Sequence, residues 1–572
     1  MQATPLTLHA LMLAGLATVS VAQAASAPPQ ATAGRTVFQN NCASCHTVDA
    51  KLSPLAGPGV FGVVGRKAAG VPGFNYSGAL AKAGAAGLVW TREELDVFLL
   101  DPSKRVPGTT MPVGVPDQKM RAALIDYLAS LQGPATAAAA PAAAAKPAQS
   151  ADRAGSWDDT QPGKIFHFKP GELARPFATE SAGNGPRVQA RPNGSIPSVM
   201  PGFEVGVFAQ DQDKPRVALR APNGDVFLAA TGAGEVKVLR SKNGDKADTA
   251  EVFASGLSRP YGMAFWPSGA NPQYLYVANV NSVVRIPYRN GDLKARGKPE
   301  IIVPELSETS GGHTTRTLAF SKDGKTMLLS IGSATNIASE IGPKPPLPLA
   351  EWEKQHGFGA AWGVETDRAT VMAFDPDGKN RRTYATGLRN CVGMLVYPGT
   401  GDVMCNVNER DALGDNLPPD YLTRVKQGGF YGWPWYYIGD NEDPRLAGIR
   451  PDLKGKTITP DVLLQAHSAP LGMVAYHAPK GAKHAFPKEY EGDIFVALHG
   501  SWNRGVRTGY KVARVFMKDG VPTGKYQDFM SGMVISDRDV WGRPAAVEVA
   551  QDGALLVVDD AGGTVWRIVP KR

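Results

Sequence analysis

Cysteine is scarce in this chain, and its scarcity excludes two classes of site. Only 4 of the 572 residues are cysteines. Cys42 and Cys45 have no second ligand pair nearby, which a structural zinc site would need. A thioredoxin-like dithiol would lie in a βαβ unit, and the surrounding sequence does not predict one.

Long apolar runs and clusters of one charge are also lacking. Beyond the amino-terminal region no stretch of about 20 apolar residues occurs, so we expect no transmembrane segment in the mature protein. The net charge of +8 comes from 61 basic and 53 acidic residues. No Lys/Arg-rich segment alternates with aromatic residues, so nucleic-acid binding has no support. A chain of 572 residues predicts two or more domains.

The first two cysteines belong to the pentapeptide Cys42-Ala43-Ser44-Cys45-His46. Two thiols at this spacing, followed at once by histidine, predict a c-type haem attachment site. The thiols of Cys42 and Cys45 would bond the haem vinyl groups, and His46 would ligate the iron from one side. A chance CxxC, a zinc half-site and a redox dithiol are the alternatives. A covalent haem predicts electron transfer.

Met111 is the candidate for the sixth iron ligand. It lies in a loop rich in turn formers, Val106-Pro107-Gly108-Thr109-Thr110-Met111-Pro112, which can present a thioether to the open face of the haem. Ligation by histidine and methionine raises the iron potential and suits an electron acceptor. The alternative is that Met111 only fills a gap in the core.

Residues 33–132 resemble a class I cytochrome c, which implies a small all-α domain. Besides the haem motif and the Met111 loop, the matching segments are Gly57-Pro58, Gly65-Arg66-Lys67, Pro72-Gly73-Phe74-Asn75-Tyr76-Ser77 and Trp90. The resemblance implies that the Pro58 carbonyl supports His46. It also implies that Tyr76 and Trp90 face the haem propionates.

Residues 1–24 are predicted to be a secretory signal peptide, cleaved near Ala24. The apolar stretch from Leu8 to Ala22 ends in a small-residue pattern, although no Lys or Arg precedes it. Haem attachment to CxxCH is expected on the exported side of a bacterial membrane, so the predicted location is the periplasm. Residues 133–150, rich in alanine and proline, predict a linker. Residues 151–199 predict an irregular segment that wraps the next domain.

Residues 200–572 carry six units in which a turn precedes a short run of β-formers. The units begin about 50–90 residues apart, which predicts a mainly β fold, a six-bladed β-propeller. Their strand portions are Val226-Phe227-Leu228, Tyr274-Leu275-Tyr276-Val277, Thr326-Met327-Leu328, Val403-Met404, Ile494-Phe495-Val496 and Leu555-Leu556-Val557-Val558. A pair of β-sandwiches is the alternative.

Several polar segments lie beside strand starts or ends in this region, where propeller loops converge on a central channel. They are Gly311-Gly312-His313-Thr314-Thr315-Arg316, Gly387-Leu388-Arg389-Asn390, Asn408-Glu409-Arg410-Asp411, His499-Gly500-Ser501-Trp502-Asn503-Arg504 and Trp541-Gly542-Arg543-Pro544. Imidazole and guanidinium groups suit an anionic cofactor and a proton that must be removed. Taken singly, each histidine has a structural alternative and each arginine a solvated one.

These segments resemble the soluble pyrroloquinoline quinone (PQQ) sugar dehydrogenases, and within them the sorbosone dehydrogenase branch. The most specific stretch begins at Gly387-Leu388-Arg389-Asn390-Cys391, continues through Asn408-Glu409-Arg410-Asp411 and ends at Gln427-Gly428-Gly429-Phe430-Tyr431-Gly432-Trp433-Pro434. The resemblance implies that His313 is the base that takes the substrate hydroxyl proton. As a base His313 must be neutral, so activity is expected to fall at acid pH with an apparent pKa of roughly 6–7.

The same resemblance implies further cofactor contacts. Arg389 and Asn390 would contact the quinone, and Arg389 would stabilise charge that develops on its oxygens. Arg543 would hold a cofactor carboxylate. The backbone carbonyls of Asp411 and Ala412 would bind Ca²⁺, a hard cation that prefers oxygen ligands.

The implied function is a periplasmic quinohaemoprotein dehydrogenase. It would oxidise a sugar or sugar-derived aldehyde by hydride transfer to PQQ and pass the electrons to the fused haem c. A downstream respiratory cytochrome or oxidase would receive them. The alternatives are a propeller binding module with an electron-transfer cytochrome, and a cytochrome–propeller nitrite reductase, which needs eight blades and a second haem ligand.

Cys391 and Cys405 are the remaining cysteines. An exported setting permits a disulfide, and the two residues flank a predicted hairpin turn around Pro398 to Asp402. A disulfide is the favoured interpretation, and two buried thiols are the alternative.

Overall fold

The structure is a computed structural model of the whole chain. It describes residues 155–571 except 180, 309–311 and 339–340, and residues 34–131 except 36, 39–41, 43–45, 49, 51, 53–56, 73, 75, 110, 112–113 and 116. The predicted signal peptide, the predicted linker and Cys45 lie outside the described residues. The chain divides into two compact units, Met1–Ala137 and Ala138–Arg572, and each is described by itself.

The first unit is helical wherever it has regular structure. Its helices are α1 (Gly78–Ala85), α2 (Arg92–Leu100), α3 (Pro102–Arg105) and α4 (Gln118–Ser130). Each begins after a residue whose side-chain oxygen accepts a hydrogen bond from a backbone N–H of the first turn, and these caps are Ser77, Thr91, Asp101 and Asp117. Within the described part of this unit no β-strand occurs, in agreement with the all-α prediction.

The second unit is a ring of six antiparallel sheets. Blade 1 comprises Pro215–Arg220, Val226–Ala230, Glu235–Arg240 and Thr249–Ala254; blade 2 comprises Met263–Trp266, Tyr274–Ala278, Val283–Pro287 and Glu300–Val303; blade 3 comprises Leu318–Phe320, Met327–Ile331, Thr370–Phe374 and Arg382–Thr386, extended by Gly429–Phe430; blade 4 comprises Cys391–Val396, Val403–Val407, Tyr421–Val425 and Val462–Leu463; blade 5 comprises Pro470–Ala475, Ile494–Leu498, Lys511–Lys518 and Val521–Ser531; blade 6 comprises Pro544–Val549, Leu555–Asp559, Thr564–Pro570 and Phe203–Ala209.

The ring is closed by a strand from the beginning of the domain. Phe203–Ala209 pairs antiparallel with Thr564–Pro570, the last strand of the chain. Blade 6 therefore takes three strands from one end of the domain and one from the other, and this pairing brings blade 6 beside blade 1. The prediction of a six-bladed propeller is confirmed. Six blades contradict the alternative of a cytochrome–propeller nitrite reductase.

The six units found in the sequence are the second strands of the six blades. Each second strand is buried along nearly its whole length. In blade 3, for example, Met327 and Leu329 pack into one core cluster, and Leu328 packs into the neighbouring one. Because both faces of such a strand are covered by adjacent blades, it is a continuous apolar run rather than an alternating one.

The first strands of the blades surround a central channel. They contact one another around the ring and line a cavity of about 340 Å³. Because first and second strands are antiparallel, the start of every first strand and the end of every second strand lie at the same end of the channel. We call this set of loops the channel mouth.

Residues 155–199 run along the outside of blades 5 and 6. The short strands Ile165–Phe166 and Ser198–Val199 both pair with Val521–Ser531, and Arg187–Val188 pairs parallel with Asp539–Val540. Two 3₁₀ turns, Trp157–Asp159 and Pro170–Glu172, complete the segment. Further along, the Asn184 side chain donates to the carbonyls of Arg504, Gly505 and Asp537, which fixes the segment beside the channel mouth.

Two insertions extend blades 3 and 4. The first contains α5 (Leu349–His356) and the 3₁₀ turn Gly363–Glu365. The second contains the strands Tyr436–Tyr437 and Asn441–Glu442 and the 3₁₀ turn Pro451–Leu453; a last turn, Lys488–Tyr490, lies in blade 5. The insertions share one aromatic cluster that includes Trp352, Trp362 and Trp435. None of the helices among the described residues is long and apolar enough to span a membrane.

The predicted disulfide is present. Cys391 and Cys405 are bonded, with their Cα atoms 5.8 Å apart, across the first two strands of blade 4. The favoured interpretation of these two cysteines is confirmed.

Substituting Gly393 by alanine should destabilise the propeller. A Cβ at this position would lie 2.1 Å from the carbonyl oxygen of Leu471 in the next blade. Overpacking of this kind costs about 1–3 kcal/mol. Differential scanning calorimetry at one fixed scan rate should therefore show a lower unfolding temperature.

The matched control is Gly206→Ala, because a Cβ there would meet nothing within 4 Å. That variant should unfold at or slightly above the temperature of the parent protein. If Gly393→Ala unfolded at the same temperature as Gly206→Ala, the close packing of the inner strands would be disproved.

Candidate functional site

His46 and Met111 line the same cavity in the first unit. The cavity measures about 330 Å³. Most of its other lining residues are apolar or aromatic and include Phe38, Val63, Leu80, Trp90, Leu95, Phe98, Leu99, Leu124 and Leu128. The cavity therefore combines an imidazole and a thioether with an apolar wall, which is the donor set of a haem iron with histidine and methionine ligands.

The His46 ring is oriented for metal ligation. Its Nδ1 lies 2.8 Å from the Pro58 carbonyl oxygen, as the resemblance implies. Since a carbonyl only accepts, Nδ1 carries the hydrogen and Nε2 keeps its lone pair. Burial lowers the pKa of His46, against the effect of the Pro58 hydrogen bond, and so favours the neutral ring. A Cβ on Gly57 would lie 2.3 Å from Cε1 of this ring, so only glycine fits there.

Other residues of the haem prediction lie at the same cavity. Cys42, Tyr76 and Trp90 line it, and Cys45 lies outside the described residues. The Tyr76 hydroxyl accepts a hydrogen bond of 3.1 Å from the Val71 backbone N–H. The described residues thus fit a haem, and their contacts with its propionates stay a prediction.

His313 lies in the channel mouth, just before the first strand of blade 3. Its Nδ1 is 3.0 Å from the carbonyl oxygen of Ser333 and 2.9 Å from Ser333 Oγ. Because Oγ donates to the Thr335 carbonyl, both Ser333 oxygens face Nδ1 as acceptors. Nδ1 therefore carries the hydrogen and Nε2 keeps a lone pair, for which the described residues supply no hydrogen-bond partner.

The surroundings of His313 favour the neutral ring strongly. Burial, followed by the charges of Arg389 and Arg368, lowers the pKa of His313 to about 3. The expected pKa of roughly 6–7 for this group is therefore wrong for the ligand-free protein. The cause is a cluster of guanidiniums that lies far from His313 in sequence.

Two of the residues that hold His313 were not found from the sequence. Arg368 donates to the carbonyls of Gly332, His313 and Ser333, at 2.7, 3.1 and 3.0 Å. Glu365 accepts from the backbone N–H groups of Ala334 and Thr335, both at 2.7 Å. Both charged residues lie in the irregular insertion of blade 3, where no motif or periodicity distinguishes them. A third, Arg316, belongs to the segment found in the sequence and donates to the His313 carbonyl at 2.7 Å.

Arg389 and Asn390 lie beside His313 at the start of blade 4. The Arg389 guanidinium donates to the carbonyls of Asn336, Asn408 and Glu409 and to Asn336 Oδ1, at 2.8–2.9 Å. Most of its donors therefore bind the protein itself and hold the mouth loops together. The residue is 3% exposed, so it acts on the site mainly through its charge.

Asn390 has an unsatisfied polar atom. Its Oδ1 is buried and has no hydrogen-bond partner. A Cβ on Gly332 would lie 2.3 Å from this oxygen and 2.7 Å from Cβ of His313, so the two side chains approach the same glycine. A buried amide oxygen without a partner, next to a candidate base, is typical of a site that binds a polar ligand.

Asp411 is occupied by the protein's own donors. Its Oδ1 lies 3.1 Å from Nδ1 of His467, its Oδ2 accepts from Asn336 Nδ2 at 2.8 Å, and its carbonyl accepts from Arg410 Nε at 2.9 Å. The other ring nitrogen of His467 faces the Gly414 carbonyl at 3.0 Å, so both nitrogens face acceptors and the ring is protonated. Burial would lower the pKa of His467, but Asp411 raises it.

This donor set does not fit a Ca²⁺ ion at Asp411. Two cations already contact its oxygens, and the Ala412 carbonyl alone would leave the ion short of ligands. Ala412 itself has a φ of 66° and donates its N–H to Asn503 Oδ1 at 3.0 Å. Among the described residues, no group of three His, Cys, Asp or Glu side chains could hold a metal ion.

Arg543 lies on the other side of the mouth, because blades 3 and 6 face each other across a ring of six. Its Nε donates to the His499 carbonyl at 3.2 Å, and its Nη2 donates to the Gly500 carbonyl at 3.4 Å. Burial lowers the pKa of Arg543, and within the described chain no carboxylate forms an ion pair with it. Arg543 is a cation available to an anion.

The mouth therefore has two sides with different chemistry. His313, Arg389 and Asn390 lie together on the side of blades 3 and 4, next to Asp411 and Ala412. Arg543 lies on the opposite side. A ligand that touches both a neutral base and an unpaired cation must cross the channel mouth.

Comparisons with known proteins match this architecture in both units. A model of the cytochrome c family matches residues 31–132, and a model of the TrAA12-like family matches residues 197–418 and 453–571, more than half of the chain. Cytochrome c type-1 of Ascaris suum is 45% identical over 96 residues, which cover 17% of this chain and 82% of that protein. A cytochrome c domain implies a haem.

Two solved structures have a similar propeller fold. One is the holo form of the pyranose dehydrogenase PQQ domain from Coprinopsis cinerea, with a TM-score of 0.52 and 21% identity over 66% of this chain and 98% of that chain. The other is the calcium structure of carbohydrate-active enzyme family AA12 from Trichoderma reesei, with a TM-score of 0.51 and 18% identity over 66% and 97%. At these identities the likeness is one of fold.

Replacing Met111 by alanine should remove the thioether-to-iron charge-transfer band while the haem stays covalently attached. The physical reason is that the thioether is the only ligand lost. The visible spectrum of the ferric protein measures the band. Met120→Ala is the control, since Met120 packs in the same unit without lining the cavity, and its band should persist. A band that survived in Met111→Ala would show that another residue is the ligand.

Proposed function

Because the chain belongs to the TrAA12-like family and its amino-terminal part to the cytochrome c family, we propose that it is a quinohaemoprotein dehydrogenase. It oxidises a sugar or a sugar-derived aldehyde, with PQQ as cofactor and its own haem c as electron acceptor. The observation that carries the proposal is the neutral His313 ring, whose Nδ1 is fixed by Ser333 and whose Nε2 keeps its lone pair in the mouth.

The residues of the channel mouth fit PQQ, which is a flat, anionic quinone. Arg543 is a cation without an ion pair among the described residues, and it suits a carboxylate. Across the mouth, Asn390 offers a polar side chain whose Oδ1 has no partner. The pyranose dehydrogenase domain with a similar fold is a PQQ domain, which supports the same assignment.

In the proposed reaction, His313 takes the hydroxyl proton of the substrate at Nε2. Ser333 keeps the ring in the required tautomer, and Arg368 and Glu365 hold the Ser333 loop. Bound PQQ supplies the quinone that accepts the hydride from the substrate carbon. Arg389 contributes positive charge close to this point, because it is buried and fixed by four hydrogen bonds.

Three further expectations belong to this proposal. The protein acts in the periplasm, it passes electrons to a downstream respiratory cytochrome or oxidase, and residues 133–150 tether the two units. A tether raises the effective concentration of the haem for the reduced cofactor. Binding of Ca²⁺ by the carbonyls of Asp411 and Ala412 stays a prediction that the donor set at Asp411 does not favour, and no step is assigned to it.

His313→Gln should lower turnover by about 10²–10⁴-fold, because it removes the general base. The measurement is sugar-dependent reduction of the haem, followed optically after PQQ loading. PQQ content and the haem spectrum should stay unchanged. His477→Gln is the matched control, since this half-exposed histidine pairs with Glu491 away from the mouth and should keep full activity.

The pH dependence adds a second test of His313. A base must be neutral to act, and a pKa lowered to about 3 keeps His313 neutral down to mildly acid pH. Turnover should therefore not fall between pH 8 and 5 through this group. Near-normal turnover of His313→Gln with PQQ bound would refute the mechanism. A protein with PQQ bound and no haem reduction by any sugar would favour the binding-module alternative.

A further inference from the structure

A second histidine in the channel mouth has the geometry of an acid–base group. His499 follows the second strand of blade 5, and its Nε2 lies 2.9 Å from Oδ1 of Asp560, which follows the second strand of blade 6. Arg216, in the first strand of blade 1, contacts both, with its Nη1 3.3 Å from His499 Nε2 and in an ion pair with Asp560 Oδ2. These residues come from three blades and more than 280 positions of sequence.

The carboxylate fixes the tautomer of His499. Because Asp560 accepts and Arg216 donates, the hydrogen between His499 and Asp560 lies on Nε2. Nδ1 therefore keeps a lone pair, and the described residues supply no hydrogen-bond partner for it. The imidazole is half-buried, and its backbone carbonyl accepts from Arg543. His499 is thus a neighbour of the cation that suits an anionic ligand.

The charges around His499 do not balance. Arg216 and Arg543 are cations, Asp560 is the only carboxylate among the groups facing the ring, and the phenols of Tyr261 and Tyr510 are neutral. Burial, followed by the charge of Arg543, lowers the pKa of His499 to about 4. Burial opposes ionisation of Asp560, but His499 and Arg216 hold its pKa below the usual value. The ligand-free cluster carries one uncompensated positive charge in a poorly hydrated place.

We propose that His499 takes up a proton at Nδ1 when an anion binds beside Arg543, and then donates a hydrogen bond to that anion. This inference rests on the proposed function for the identity of the anion, a carboxylate of PQQ. A carboxylate next to an imidazole lone pair is repelled, whereas the protonated ring donates from Nδ1 to the anion and from Nε2 to Asp560. Binding and protonation therefore support each other.

The sign of the resulting pH dependence follows from linkage. In the ligand-free protein His499 is neutral above its lowered pKa, and the bound anion raises that pKa. Between the two pKa values binding takes up a proton, so affinity increases as pH falls, by at most about tenfold per pH unit for one proton. Above the pKa of the complex the dependence vanishes.

The test is isothermal titration calorimetry of PQQ into the full haem-containing chain prepared without PQQ. Titrations at pH 6 in buffers of different ionisation enthalpy give the number of protons taken up per PQQ. PQQ contributes its own ionisations, so the informative quantity is the difference between variants. His499→Gln should take up about one proton fewer than the parent. It should also bind about tenfold to a hundredfold more weakly, because a charge-assisted hydrogen bond is lost.

His477→Gln is again the control and should match the parent in proton number and affinity. If His499→Gln does not fold, His499→Asn replaces it with the same expectation. Equal proton numbers in the parent and the folded His499 variant would overturn this inference and leave the proposed function intact. Failure of the parent chain to bind PQQ would overturn both.

Discussion

The structure depends on the close approach of the first strands around the channel. Each of these strands packs against its counterparts in the neighbouring blades, and at Gly393 the backbones are too close for a Cβ. The pairing of Phe203–Ala209 with Thr564–Pro570 closes the ring and fixes the number of blades at six. Once six blades are closed, the loops at one end of the channel have nowhere to lie except around a common mouth.

That constraint explains the chemistry of the mouth. Residues from opposite blades face each other across a narrow opening, so a neutral base and an unpaired cation can serve the same ligand. The neutral state of His313 is maintained by burial and by guanidiniums that donate to the backbone around it. On the other side, Arg543 and the His499–Asp560 pair form an anion-binding region. A cofactor held at one side and reacting at the other uses both.

Local sequence carried much of the fold. The haem motif is contiguous, so its chemistry could be predicted before any contact was known. The second strands could be predicted because burial on both faces makes them continuous apolar runs bounded by turns. The disulfide was predictable as well, because Cys391 and Cys405 flank one hairpin.

Contacts between distant residues could not be predicted in this way. Arg216 and Asp560 are 344 positions apart, and Arg368 reaches Gly332 across 36 positions through an irregular insertion. Sequence similarity assigned Arg389 to the quinone, whereas most of its donors bind backbone carbonyls of the mouth loops. It also assigned calcium to Asp411, whose oxygens are taken by His467, Asn336 and Arg410. Which donors are already satisfied is decided by packing.

The most direct test of this account is a crystal structure of the full chain with PQQ bound. The account predicts one PQQ across the channel mouth, with a carboxylate on Arg543 and the quinone end beside His313 and Asn390. Density for PQQ at any other place, or a mouth that stays empty in crystals whose protein contains PQQ, would contradict it.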